Sequence, residues 1–108
     1  MIIIKSKNYL KDYDKLIKRK HLVKEENRIK DIEKVINAFS NMQELFASPY
    51  KDVYNFEQKK GNLKEFFTVR INSKLRLIMK PLIGYPYNYI EIVEIEFVNI
   101  DDTHYGEG

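Results

Sequence analysis

The chain has no cysteine and no tryptophan, and only two histidines among its 108 residues. Without cysteine there is no disulfide framework, no thiol nucleophile and none of the usual structural zinc sites. No apolar run approaches the ~18 residues that a membrane span needs, and the first residues lack the pattern of a signal peptide. We therefore expect a single domain over residues 1–108, in the cytoplasm, with no cofactor, no metal and no membrane partner.

The net charge of +3 conceals an uneven distribution of charge along the chain. Basic residues outnumber carboxylates by six over residues 1–30 and by five over residues 51–80. Carboxylates exceed basic residues by six over residues 81–108. Two basic blocks in a small domain indicate a polyanionic partner, and nucleic acid is the first candidate. The alternative is a set of lysine-rich faces that are simply solvated.

The spacing of apolar residues predicts the order of helices and strands. It indicates a strand over 1–5, an amphipathic helix over 7–19 and a longer helix over 22–47 that ends before Pro49. Alternation then predicts strands over 53–58, 64–71, 75–80 and 89–98, a basic turn at 59–62, a loop at 81–88 and a bulge at 92–93. This order predicts an α+β fold: an N-terminal strand, a two-helix hairpin, then a mostly antiparallel sheet of three to four further strands with helices on one face.

The hairpin formed by strands 64–71 and 75–80 decides where two arginines lie. A loop between Ile71 and Leu75 that pairs these two residues keeps the apolar side chains of both strands on one face. A one-residue slip would expose several of them, at ~1.5–3 kcal/mol each. We therefore predict that Arg70 lies directly opposite Arg76 on the open face.

Like charges directly opposite each other in a sheet are unfavourable. Either acidic residues of the last strand neutralise Arg70 and Arg76, or the two arginines hold an anion. Arginine suits bidentate contacts to phosphate, and a nearby Phe66 would stack a base. In the tail, His104 precedes Tyr105, and a histidine exchanges protons near neutral pH. The alternative for His104 is a passive surface residue.

The segment KKGNLKEFFTVRINSKLRLIMKP, residues 59–81, resembles the signature of the RelE/ParE superfamily of bacterial toxins, especially its HigB-like branch. That signature has a Lys-Gly turn, an aromatic–Ser/Thr–Val–Arg–Ile/Val–Asn strand and then an aromatic–Arg strand. The segment IEIVEIEFVNIDDTHYG, residues 90–106, resembles the family's last strand and its short motif with His and Tyr.

Four features depart from this pattern. Glu65 replaces a common glycine, and Leu75 replaces a common aromatic residue. The loop at 81–88 is longer than in compact members, and the tail reads Asp-Thr-His-Tyr over 102–105 where Asp-Tyr-His is usual. These departures concern the acid and base of the site more than the fold.

The resemblance implies the toxin of a type II toxin–antitoxin system, a ribosome-dependent endoribonuclease that cuts mRNA by metal-independent attack of the 2′-hydroxyl. It also implies a cognate antitoxin, usually a helix-turn-helix protein, as partner. The implied catalytic residues are Arg70, Arg76, His104, Tyr105 and Lys64, with Asp102 orienting His104. The implied RNA-binding residues are Lys59, Lys60, Lys64, Phe66 and Lys80.

Two other functions remain open: a ParE-like gyrase inhibitor and a non-catalytic nucleic-acid-binding module. A decayed toxin that keeps only its structure is a further alternative.

Overall fold

The structure, a computed structural model, describes residues 1–102. In this part of the chain the strands are β1 (Ile2–Lys5), β2 (Glu57–Gln58), β3 (Phe67–Arg70), β4 (Leu75–Pro81) and β5 (Glu94–Asp102). The helices are α1 (Lys7–Ile17), α2 (Val23–Ala38), α3 (Met42–Phe46) and α4 (Tyr50–Val53), with 3₁₀ turns at Lys20–Leu22, Gly61–Leu63 and Tyr89–Glu91. One mixed sheet has the order β1-β5-β4-β3-β2, in which only β1 and β5 run parallel. The predicted α+β class is confirmed.

The two long helices, α1 and α2, pack against the sheet through buried apolar residues. Ser6 caps α1 by accepting a hydrogen bond from the backbone N–H of Tyr9 (3.0 Å), and its hydroxyl donates to the carbonyl oxygen of Val98 (2.6 Å). The cap therefore also ties α1 to β5. The buried stripe of α2 packs into the same core, and it consists of Ile29, Ile32, Val35 and Ile36. No helix within residues 1–102 is long and apolar enough to cross a membrane.

The prediction of one helix over 22–47 is wrong, because α2 ends and α3 begins within that range. The side-chain oxygen of Asn41 accepts from the backbone N–H of Glu44 (3.0 Å). The Glu44 carboxylate accepts in turn from the backbone N–H of Ser40 (2.8 Å). These two bonds satisfy donors at a helix start, so the chain begins a new helix here although the apolar stripe continues.

Three predicted strands have different bounds in the structure, and of the strand predicted over 64–71 only Phe67–Arg70 forms β3. In the range 53–58, Val53 is the last residue of the short helix α4, and only Glu57–Gln58 pairs with β3. Between them Asn55 has a φ of 57°, which few residues other than glycine and asparagine adopt readily. The strand predicted over 89–98 begins at Glu94 instead, because Asn88 caps a 3₁₀ turn over Tyr89–Glu91.

The bulge predicted at 92–93 is also wrong. The register between β4 and β5 shifts between Ile78 and Met79, so that Val98 is the extra residue of β5. Phe97 before this irregularity is fully buried, and Ile100 after it returns to the side of the core. The shift thereby lets β5 continue to Asp102 with its apolar residues still facing the helices.

The predicted register of the β3–β4 hairpin is confirmed. Phe67 pairs with Met79 and Val69 with Leu77, and all four side chains are fully buried. Their burial stabilises this register by ~1.5–3 kcal/mol per side chain. The intervening positions of both strands consequently point to the face that the helices leave open.

Candidate functional site

Two arginines lie opposite each other at the end of the β3–β4 hairpin. Arg70 and Arg76 are register partners, as predicted, on the face opposite the helices. Together with Asn55, Glu57 and Thr68 they line a cavity of about 160 Å³, which we call the arginine cavity. Thr68 pairs with Glu57 in the sheet and is buried in spite of its position on the open face. The arginine cavity is therefore lined by two arginines, one carboxylate and the buried Thr68.

The backbone under Arg70 is held from two directions. Its N–H donates to the carbonyl oxygen of Tyr54 (3.0 Å), and its carbonyl oxygen accepts from Nε of Arg28 in α2 (2.8 Å). The Arg28 guanidinium also lies 4.7 Å from the centre of the Tyr54 ring. These contacts fix the end of β3, so Arg28 acts as a positioning residue that the sequence pattern did not reveal.

Acidic neighbours neutralise the arginine pair only in part. An oxygen of Glu57 lies 3.9 Å from Nη1 of Arg76 and 3.4 Å from Nζ of Lys59. Asp101 of β5 is the register partner of Arg76 on its other side. Arg70 makes no ion pair with any residue among 1–102. The arginine cavity thus keeps the capacity to hold a further anion such as a phosphate.

A larger concavity of about 560 Å³ adjoins the arginine cavity, and Glu57 lines both. We call it the lysine–tyrosine cleft, since its other charged and aromatic lining residues are Lys51, Lys59, Lys60, Lys64, Phe46, Tyr85 and Tyr89. Three of the predicted RNA-binding lysines come together here. Lys64, predicted beside the arginines, lies in the cleft instead, because β3 begins only at Phe67.

Phe66 and Lys80 come together elsewhere on the surface. Nζ of Lys80 lies 5.8 Å from the centre of the Phe66 ring, and Lys80 pairs with Glu96 of β5. Neither residue lines the arginine cavity or the lysine–tyrosine cleft. They form a separate pair of one cation and one aromatic ring.

The two aspartates at the end of β5 lie on opposite sides of the sheet, and Asp102 is not on the side that its predicted role requires. Asp102 pairs with Leu75 and lines a cavity against α1 with Lys15 and Arg19, so it lies on the side of the helices. Asp101, which the sequence pattern did not single out, is the carboxylate beside Arg76. His104 and Tyr105 lie outside the described residues. Their approach to the arginine pair, and the orientation of His104 by its neighbour, stay predictions.

Glu57 is the main residue of the site that the sequence pattern did not reveal. The sequence predicts a short strand around Glu57 but does not identify the strand that pairs with it. Its position beside the arginines follows from the antiparallel pairing of β2 with β3, which sets Glu57 opposite Thr68. The spacing of Glu57 and Lys59 by two residues places both side chains on one face of an extended strand, and this was the signal that the sequence offered.

No protein-family model matches the chain, and no curated protein matches it. Solved structures do match over nearly the whole length. YafQ from Escherichia coli has a TM-score of 0.65 at 17% identity, covering 98% of this chain and 97% of its own. The E. coli DinJ–YafQ toxin–antitoxin complex matches with a TM-score of 0.62 at 19% identity, covering 98% and 96%.

A YoeB/ParE toxin from Agrobacterium tumefaciens matches with a TM-score of 0.60 at 13% identity, covering 94% of this chain and 98% of its own. At such identities the likeness establishes the fold. The fold predicted from residues 59–81 and 90–106 is thereby confirmed, while the HigB-like branch stays a prediction.

Proposed function

We propose that this chain, which has the RelE-like toxin fold, is the toxin of a type II toxin–antitoxin system and cuts mRNA on the ribosome. The observation that carries the proposal is the pairing of Arg70 with Arg76 on one cavity, with Glu57 beside them. A cognate antitoxin is the second partner that we propose, since similar structures include a toxin–antitoxin complex.

The proposed reaction is an attack of an RNA 2′-hydroxyl on the adjacent phosphate. The 2′-oxygen forms a bond to phosphorus and the bond to the 5′-oxygen breaks, which gives a 2′,3′-cyclic phosphate and a 5′-hydroxyl. The five-coordinate phosphorane between them carries more negative charge than the substrate. Arg70 and Arg76 would bind its oxygens, and one such positioned donor contributes roughly 10²–10³-fold to a rate.

Two proton transfers complete this reaction. We assign the general base to Glu57, because its carboxylate lines the cavity of the arginine pair. With the base at Glu57, we assign the general acid to His104, for which the sequence leaves both roles open. His104 would protonate the departing 5′-oxygen, with Tyr105 as an orienting or stacking partner. One positioned proton transfer is worth roughly 10²–10⁴-fold in rate.

The basic residues outside the arginine cavity suggest the path of the RNA. Lys59, Lys60 and Lys64 line the adjoining cleft and would bind phosphates of the flanking nucleotides. Phe66 and Lys80 would contact the strand on the other side, by stacking and charge.

The proposal is tested by expression in bacteria from a tightly repressed promoter. Induction should arrest growth, and sequencing of mRNA ends should show cuts at ribosomal A sites. The double variant Arg70→Ala/Arg76→Ala should remove both effects, and co-expression of the neighbouring gene should restore growth if that gene encodes the antitoxin. Unaffected growth together with intact mRNA would contradict the proposal.

A gyrase inhibitor is the second candidate, since one similar structure is named a YoeB/ParE toxin. A supercoiling assay with purified gyrase separates the two functions. Inhibited supercoiling without mRNA cuts would favour the inhibitor, whereas mRNA cuts with normal supercoiling would favour the nuclease.

A further inference from the structure

We infer that the lysine–tyrosine cleft is a stacking subsite for a nucleobase of single-stranded RNA, in which Tyr85 stacks the base and the lysines bind the flanking phosphates. Because bases differ in stacking strength, the subsite would give the cuts a modest sequence preference. The inference rests on the proposed nuclease function for its biological role, but binding in the cleft is testable by itself.

The wall of the cleft is an aromatic loop between β4 and β5. Tyrosines occupy positions 85, 87 and 89, and Tyr85 keeps 42% of its surface exposed. Its ring meets the ring of Tyr87 edge-on, with centroids 5.5 Å apart and an interplanar angle of 84°. Tyr85 therefore offers an accessible flat ring that a neighbouring ring supports.

Hydrogen bonds hold this loop against the β2–β3 connection. The Tyr87 hydroxyl donates to the carbonyl oxygen of Glu65 (2.8 Å), and the Tyr89 hydroxyl donates to Oε1 of Gln58 (2.6 Å). Burial raises the pKa of both tyrosines, so the two hydroxyls stay protonated and keep donating. A wall held in this way loses little freedom when a ligand binds, which favours binding.

The charges in the cleft suit a nucleotide strand. Four lysines line it against one carboxylate, that of Glu57. Nζ of Lys64 lies 4.8 Å from the centre of the Tyr85 ring. The ammonium lies over a face of the Tyr85 ring, so a base that stacks on this face takes its place and the displaced ammonium binds the adjoining phosphate. A phosphopeptide would satisfy the lysines but would leave the ring without a flat partner.

The position of the cleft connects it with the arginine cavity. Glu57 lines both, so a single RNA strand with its cleaved phosphate at Arg70 and Arg76 enters the cleft directly beyond Glu57. The volume of about 560 Å³ lies within the range of roughly 300–1,000 Å³ for small-molecule sites. That space suffices for a base and its sugar, which makes the cleft a neighbouring subsite.

The first experiment uses the absence of tryptophan. The variant Tyr85→Trp carries one indole in the cleft, and titration with a single-stranded RNA oligonucleotide should quench its fluorescence in a saturable way. The matched control is Tyr50→Trp, since Tyr50 has a similar exposure of 46% and does not line the cleft. Absent quenching, or equal quenching in both variants, would overturn the inference. Equal quenching of Tyr85→Trp by an RNA duplex would overturn it as well.

The second experiment compares Tyr85→Ala with Tyr85→Phe. Loss of the ring should weaken binding of the oligonucleotide by about 5- to 150-fold, whereas phenylalanine should bind like the wild type. The map of mRNA cuts should change for alanine only. Unchanged binding and an unchanged map in Tyr85→Ala would overturn the subsite while the nuclease function stands. If the oligonucleotide quenches the fluorescence of Tyr85→Trp but the wild-type protein never cuts mRNA, the result would support the subsite and refute the nuclease function.

Salt dependence supplies a further check on the lysines. Substitution of Lys59 and Lys60 by glutamine should reduce the slope of log affinity against log salt by about 0.7 for each phosphate that the replaced lysine binds. Lys11→Gln is the control, because Lys11 is exposed on α1 and does not line the cleft. An equal change in slope for Lys11→Gln would overturn the assignment of these phosphate-binding lysines to the cleft.

Discussion

The arginine cavity and the lysine–tyrosine cleft adjoin at Glu57, but different parts of the chain build them. The register of two strands brings Arg70 and Arg76 together, and buried side chains fix that register. The wall of the cleft is a loop held by tyrosine hydroxyls and ring contacts. The comparison teaches that core packing places the groups proposed for the chemistry, while loop contacts place those proposed for binding. Changes in the two sites should consequently have separable effects.

The largest effect is expected from the core beneath the arginine pair. Leu77→Ala removes a fully buried side chain next to Arg76, and the cavity it leaves should lower the free energy of unfolding by about 2–5 kcal/mol. Urea denaturation measures this decrease. The control Leu82→Ala alters an exposed leucine and should change stability by about 0.5 kcal/mol or less. Equal decreases in both variants would refute the role of the core in fixing the hairpin.

The second effect concerns rate. Arg76→Gln should lower the rate of the proposed mRNA cleavage on purified ribosomes by roughly 10²–10³-fold, which corresponds to about 2.7–4 kcal/mol, because glutamine lacks the charged guanidinium that would donate to the phosphorane. Arg76→Lys should recover only part of the rate, since lysine keeps the charge without the bidentate geometry. Binding of RNA in the cleft should change much less. A variant with normal rate but weak binding would contradict the division between the two sites.

The smallest effect is a loss of stability from a change in the loop between β4 and β5. Tyr89→Phe removes the hydrogen bond to Gln58 and should lower stability by about 0.5–1.5 kcal/mol. Burial raises the pKa of Tyr89 in the folded state, so its stabilisation is present below the ordinary pKa of about 10 and is lost as pH rises through the folded value. Thermal unfolding from pH 8 to 11 should therefore show less alkaline destabilisation in Tyr89→Phe. An identical pH dependence in the two proteins would refute this contribution.

The sequence predicts the parts of the molecule that depend on local spacing and on burial. The pairing of Arg70 with Arg76 follows from the alternation of apolar residues, because any other register exposes several of them. The apolar stripe continues through the break after α2, so its spacing alone does not reveal the break. The residue that indicates a new helix start is Asn41, which caps α3. A periodic pattern reports the buried face of a segment and can conceal a break that leaves that face intact.

The remaining parts of the site depend on contacts between distant segments. Glu57 reaches the arginines through the pairing of β2 with β3, and Tyr89 contacts Gln58 across 31 positions of sequence. No local sequence pattern predicts either contact. The first depends on a strand of only two residues, and the second depends on how a long loop closes. His104 and Tyr105 lie beyond the described residues, so their roles rest on the resemblance alone.

The proposed attack of a 2′-hydroxyl at the arginine pair is tested most directly by the chemistry of the RNA ends. Purified protein would be incubated with ribosomes programmed with a defined mRNA, and the fragments analysed by mass spectrometry. We predict a 5′ fragment that ends in a 2′,3′-cyclic phosphate, and no cleavage when the nucleotide before the cut carries a 2′-deoxy sugar. A fragment ending in a 3′-hydroxyl, or cleavage of the 2′-deoxy mRNA at the same position, would contradict the mechanism.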